Sequence, residues 1–267
     1  MNVHCSTAFD RVADASGIEI LDHGLAELDV EWNHRHIRPS YSRLYYILNG
    51  GGFVETERET VSLVSGKTYL IPAGLTLHYG CPGRMTQLYF HVSVRAPDGY
   101  DLFGRLDRIL ECSENIGDLG ADYASGQVLR EALTRCRVEA DVARFAIQAG
   151  LERTLEVNRS AFLKAVFAAV SDCLSASLTI AEVARRMNMS ESALTKRFRR
   201  EFGSPLGRYI DEMVLQDVIR RLMGTEESVG AIAENMGFCD PFYLSRFFSE
   251  RVGMPPSAYR AHQRGQI

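Results

Sequence analysis

The sequence predicts an α+β chain in two parts, an N-terminal β jelly-roll and a C-terminal all-α half carrying two helix-turn-helix units. Three observations lead there. The run IAEVARRMNMSESALTKRFRREFGSPLGRY from Ile180 is echoed by VGAIAENMGFCDPFYLSRFFSERVGMPPSAY from Val229, so one supersecondary unit occurs twice. Residues 17–94 instead break into short β-branched and aromatic runs punctuated by turn residues, the pattern of an antiparallel sandwich or jelly roll. Charge divides the same way: residues 1–157 hold 15 Lys+Arg against 22 Asp+Glu, residues 158–267 hold 15 against 12. A net charge of −4 over 267 residues thus hides an acidic front and a basic back, and only the back suits a phosphate backbone.

Residues 1–17 lack the charged-then-apolar layout of a signal peptide. No apolar run reaches the ~20 residues of a membrane helix. The six cysteines form no CxxC pair or Cys/His cluster, the usage of a reduced protein with incidental thiols. A cytoplasmic chain with no membrane partner is expected.

Strands are expected at 44–48, 53–54, 61–64, 68–71 and 88–92, with turns at 49–52, 65–67, 72–74 and 81–83. Residues 98–123 are polar, with one short helical piece at 102–110. Residues 127–157 read as helix, on which Leu129, Leu133, Cys136, Ala140, Ala143 and Ile147 follow a three-four spacing. That stripe fits either a dimer seam or packing on the chain's own sheet. The domain boundary falls near 157–160, where Asn158 or Ser160 can cap the next helix. The helix at 160–174 presents Phe162, Val166, Ala169, Val170 and Cys173 to cover the first repeat.

Within the repeat, Ile180, Val183, Ala184 and Met187 make one apolar face. Asn188 and Gly237 suit a turn at positive φ, and Ser190 and Asp240 suit N-caps. Leu194, Phe198 and Phe202 form the buried stripe of the next helix, as Leu244, Phe248 and Val252 do in the second copy. Gly203 and Gly253, each followed two residues later by a proline, stop those helices. A helix of about 28 Å from Pro205 to Met223 joins the copies, at ~1.5 Å per residue. Ser192, Thr195, Lys196 and Arg199 share one exposed face; Phe242, Ser245, Arg246 and Ser249 share the matching one. Lys and Arg donate to guanine O6 and N7, hydroxyls suit base edges or phosphate, and a phenyl ring can meet a thymine methyl.

These residues closely resemble the DNA-binding domain of the AraC family of bacterial transcription regulators, most specifically in SVGAIAENMGFCDPFYLSRFFSERVGMPPSAYR at 228–260. The resemblance implies seven helices, two of them recognition helices offered to successive major grooves of double-stranded DNA. By position its base-contacting candidates are Ser192, Thr195, Lys196, Pro241, Phe242, Ser245 and Arg246, with Arg199 on the same face. Pro241 and Phe242 depart from the family's polar residues there, so the second half is expected to read shape or methyl groups. Such chains are commonly homodimers, and RNA polymerase is a further expected partner.

YYILNGGG followed by SGKTYLIPAG is similar to the cupin sensor domain at the front of many such proteins. The family's metal motif would place ligands at His36, Arg38, Arg43 and Leu77, with His78 one residue late. Two arginines there repel a cation, so no metal and no cofactor is expected. Tyr41, Arg43, Tyr45 and Ile47 share one strand face. Arg38, Tyr41, Arg43, Tyr45 and His78 are the candidate effector-binding residues, for a sugar or organic acid. The expected organisation is a cupin-like effector-sensing domain at 1–124, a helical linker or dimerisation segment at 125–157 and a DNA-binding domain at 158–267. The expected function is sequence-specific transcription regulation controlled by a small polar metabolite. A cupin metalloenzyme fused to a DNA-binding domain is the alternative, with no catalytic residues identified for it. An architectural DNA binder whose sensor has lost its ligand is a third reading.

Overall fold

Strand β3 (Ser42–Glu55) organises the front half of the chain, because it belongs to two sheets at once. The structure, a computed structural model, describes residues 17–96, 98–151 and 160–264. One sheet runs in the order β1 (Ile18–Leu28), β7 (Met85–Val94), the first part of β3, β5 (Thr68–Ile71) and β8 (Leu110–Cys112), all antiparallel. The far end of β3 pairs with β4 (Thr60–Val64) and β6 (Leu77–Gly80), and β6 pairs with β2 (Asn33–Ile37). The sheets face each other without closing. Tyr45, Ile47, Tyr69 and Tyr89 from the first meet Val54, Leu63, Leu77 and Tyr79 from the second in a common core.

Two expectations are corrected here. Residues 49–52 are no hairpin turn, since β3 runs through them. Gly50 has φ +70°, and a Cβ there would stand 1.9 Å from the Arg84 carbonyl oxygen; at Gly52 it would stand 2.7 Å from that of Gly80. Missing side chains let the strand bend from one sheet into the other, with a register shift between Ile47 and Asn49. Residues 102–110 are not a helix but a 3₁₀ turn at Phe103–Arg105 followed by β8. The Asp101 carboxylate accepts the N–H groups of Phe103 (3.0 Å) and Gly104 (3.2 Å), which fixes the turn, and pairing with β5 captures the rest.

The short α1 (Leu119–Tyr123) leads to α2 (Val128–Gln148), which covers the outer face of the first sheet. Val138, Val142 and Phe145 pack on Leu44, Tyr46, Leu88 and Phe90. Tyr46 donates to Asp141 at 2.8 Å, and Arg137 and Arg144 flank that buried carboxylate. The stripe used for packing is therefore not the 129–147 seam. Leu129, Leu133, Cys136, Ala140, Ala143 and Ile147 are all exposed.

Seven helices follow among the described residues: α3 (Ala161–Ser171), α4 (Ile180–Arg186), α5 (Glu191–Phe202), α6 (Leu206–Gly224), α7 (Val229–Asn235), α8 (Pro241–Val252) and α9 (Pro256–Arg264). Ser160 caps α3 through the Leu163 N–H; Asn158 and the expected boundary at 157–158 lie outside the described residues. One apolar core runs through all of these helices and takes in Leu21 and Tyr41 from the front half. The junction is specific. Tyr209 of α6 donates to the Asp98 carbonyl at 2.9 Å, and the Tyr100 ring stacks on Phe202 with its hydroxyl on Glu212.

Candidate nucleic-acid interface

Local chemistry sets each helix-turn-helix in place. Thr179 and Glu182 form a reciprocal capping box at the start of α4. The chain then turns at Asn188, whose φ of 51° an asparagine tolerates, and Gly237 does the same in the second copy at φ 71°. Ser190 caps α5 through the Ala193 N–H, and Asp240 caps α8 through that of Tyr243 at 2.7 Å. That N–H bond leads in holding the Asp240 carboxyl below its ordinary range, so the cap is ionised at neutral pH. The Ser190 cap contributes about 1 kcal/mol. Gly203 and Gly253 end the two helices at φ 88° and 87°.

Leu194 and Phe198 bury one side of α5, and Leu244 and Phe248 bury the same side of α8. What faces out is the expected set. Ser192, Lys196 and Arg199 are exposed and Thr195 is half-buried, its hydroxyl donating to the Glu191 carbonyl at 2.7 Å. On α8, Pro241 is the first helical residue, Phe242 is 83% exposed and Arg246 is exposed. Ser245 is half-buried, with its hydroxyl on the Pro241 carbonyl at 2.9 Å. Arg197, beside Lys196, is exposed but engaged within the chain, 4.1 Å over the Phe162 ring and bonded to Glu201 at 2.8 Å.

Tyr243 was not among the expected contacts. It is part-exposed beside Phe242, and its ring lies 5.7 Å from the Arg246 guanidinium carbon. The i,i+3 aromatic–arginine spacing is the sequence signal that points to it.

The two units are fixed against each other. The Ala176 N–H donates to the Met236 carbonyl at 2.7 Å, Arg251 of α8 pairs with Asp211 of α6 at 2.6 Å, and Arg260 of α9 donates to the Leu222 carbonyl at 2.8 Å. The two exposed faces are thus held as one body, with α6 between them.

The expected effector group does not converge. Tyr41, Arg43 and Tyr45 do meet inside the sandwich, where Arg43 is 1% exposed. It donates to the Tyr45 hydroxyl at 3.3 Å and lies 5.0 Å from the Tyr79 ring and 5.8 Å from that of Tyr41. Burial pushes the Tyr45 phenol up to about 12 against the opposing pull of Arg43. Arg38 precedes the strand, is exposed, and donates to the Gly74 carbonyl at 2.9 Å on the wall of a separate cleft. His78 alternates with buried Tyr79 on the other sheet, its ring nitrogens 2.8 Å from Glu55 and 3.3 Å from Asn33. Period-two alternation foretold which residues share the face at 41–45, but not the distance to Arg38 and His78. Among the described residues no group of three or more His, Cys, Asp or Glu stands where it could hold a metal ion. No helix among them is long and apolar enough to cross a membrane.

Two capped helix-turn-helix units, rigidly joined behind a strand-rich half, define the class of two-headed DNA-binding regulators. Residues 183–262 match the family model described as a helix-turn-helix domain. The activator RhaR of Klebsiella pneumoniae is 31% identical over 107 residues, 40% of this chain and 38% of RhaR, so the match spans well under half of that relative. The multiple antibiotic resistance protein MarA of Escherichia coli is 30% identical over 91 residues, 34% of this chain and 72% of MarA. The Msm operon regulatory protein of Streptococcus mutans is 22% identical across 94% of this chain and 93% of its own. ToxT of Vibrio cholerae shares the fold, with a TM-score of 0.51 at 11% identity over 91% of this chain and 97% of ToxT. The chain belongs to the AraC family of transcription regulators, and its relatives are regulators rather than enzymes.

Proposed function

We propose that this chain is a sequence-specific DNA-binding transcription regulator that inserts α5 and α8 into successive major grooves. The observation that carries the reading is the doubled exposed face, Ser192, Thr195, Lys196 and Arg199 on one helix and Phe242, Ser245 and Arg246 on the other. Lys196, Arg199 and Arg246 supply bidentate or phosphate donors, and Phe242 supplies an apolar contact for thymine methyls. Fluorescence anisotropy on DNA from the protein's own upstream region, against scrambled DNA of equal length, tests it. Specific binding that weakens in Lys196→Ala and Arg246→Ala supports the reading; equal affinity for both DNAs removes it.

The same reading gives the front half a sensing role, for a sugar or organic acid, as a cupin-like domain with domain limits near 124 and 157. Tyr41, Arg43 and Tyr45 are its polar interior, with Arg38 and His78 outside it. A homodimer formed through the exposed 129–147 seam is part of it, since an apolar stripe at coiled-coil spacing left in water is costly in a lone chain. A cytoplasmic location and contact with RNA polymerase complete it.

A further inference from the structure

The two recognition helices share a buried stripe but differ beside it. Phe238, in the turn before α8, packs on two rings of that helix. Its ring centre lies 6.0 Å from that of Tyr243 and 5.4 Å from that of Phe247. The matching residues of the first copy are Met189, Ala193 and Arg197, so this aromatic cluster has no counterpart on α5. Phe238 is buried, and it anchors the Tyr243 ring from beneath; the neighbouring Phe242 is 83% exposed.

Arg246 follows Tyr243 by three residues, on the same side of the helix. Its guanidinium carbon lies 5.7 Å from the ring centre, within the range at which an aromatic quadrupole attracts a cation. The acids beside it are already engaged. Asp211 and Glu250 line one cleft with Arg246, but Arg251 pairs with both, at 2.6 and 3.9 Å, while lying over the Phe247 ring. Glu250 stands four residues after Arg246, where it would otherwise draw the guanidinium along the helix. Arg246 makes no ion pair among the described residues and is exposed on its ring. Lys196, its twin on α5, follows Ala193, which offers only a methyl group.

We propose that Tyr243 is the positioning residue for Arg246, holding the guanidinium so that its planar fork meets O6 and N7 of one guanine. A long side chain loses rotamer freedom on binding, and one already held against a ring loses less. The proposal rests on the reading of α8 as a recognition helix and deepens it. The second unit is the stricter guanine reader; the first, with Lys196 lacking a platform, tolerates more sequences. Tyr243 acts through Arg246 and needs no base contact of its own.

The test lets the full chain select its DNA from a random-sequence pool. The guanine whose preference disappears in Arg246→Ala marks the contact. Anisotropy then compares this DNA with the same duplex carrying 7-deazaguanine there, which lacks the N7 acceptor. Tyr243→Leu should weaken binding to the guanine duplex by about two- to fivefold and leave the 7-deazaguanine duplex nearly unaffected. Tyr243→Phe keeps the ring and should bind as the wild type does. In an Arg246→Ala background Tyr243→Leu should change nothing further. A merely structural role would weaken both duplexes alike and persist without Arg246. Either result, or the same loss in Tyr243→Phe, would overturn the proposal. Selected DNA with no guanine that depends on Arg246 would defeat the proposal alone; a pool that yields no preferred sequence would defeat the regulator reading and the proposal with it.

Discussion

The hydroxyl of Tyr209 donates to the main-chain carbonyl of Asp98 at 2.9 Å, joining residues 111 apart in sequence. It ties α6, the helix between the two helix-turn-helix units, to the strand-rich half. Beside it Gly99, at φ +83°, brings its backbone so close to α6 that a Cβ would meet the Met213 sulfur at 2.6 Å. Tyr209→Phe should lower stability by about 1 kcal/mol, the net value of one hydrogen bond. Urea unfolding followed by Trp32 fluorescence, together with limited proteolysis at residues 98–100, checks this. Unchanged stability and unchanged cleavage would mean that the bond does not hold the junction.

Arg43 and Arg38 should separate in their effects. Arg43 is buried among Tyr41, Tyr45 and Tyr79, so Arg43→Ala leaves a cavity and unmatched phenols. A loss of about 3 kcal/mol or more is expected. Arg38 is exposed, and Arg38→Ala should cost under ~0.5 kcal/mol. Chemical denaturation of both variants decides it, and similar losses would contradict the placement.

His91 gives the front half a pH dependence. Burial lowers its pKa to about 4, against the pull of Asp22 at 3.4 Å and with Arg43 adding to the depression. The rings of Tyr41 and Tyr89 enclose it at 4.7 and 5.1 Å. The unfolded chain takes up the proton near 6.5 and the folded chain only near 4, so stability rises with pH across that window. Between pH 7 and 5 the wild type should lose about 2 kcal/mol more than His91→Asn. Parallel pH–stability curves for the two proteins would refute this.

Leu133 is 65% exposed in the middle of the α2 seam. Leu133→Asp should convert a dimer to a monomer in sedimentation and weaken binding to two half-sites more than to one. A wild-type monomer at micromolar concentration would remove the seam as an interface.

The helical half was legible in detail because its signals are local. Caps at Ser190 and Asp240, stops at Gly203 and Gly253 and the turn at Asn188 each depend on neighbours within one or two turns of chain. The front half was legible in class but not in path. Three consecutive glycines at 50–52 look like a turn, and only the carbonyls of Arg84, Leu63 and Gly80 crowding that strand reveal a bend between sheets. The site at Arg43 was half legible for the same reason. Alternation put Tyr41 and Tyr45 beside it, but the Tyr79 ring comes from the opposite sheet, where no local pattern reports it. The seam on α2 kept two readings open because nothing in its spacing says which stripe, 129–147 or that of Val138, Val142 and Phe145, meets the sheet.

The most direct test of the two-headed reading is a hydroxyl-radical footprint on operator DNA with wild type, Lys196→Ala and Arg246→Ala. The wild type should protect two patches about one helical turn apart, with each variant losing one patch first and specific affinity falling by about 1–3 kcal/mol. A single protected patch, or loss of the same patch in both variants, would contradict the account.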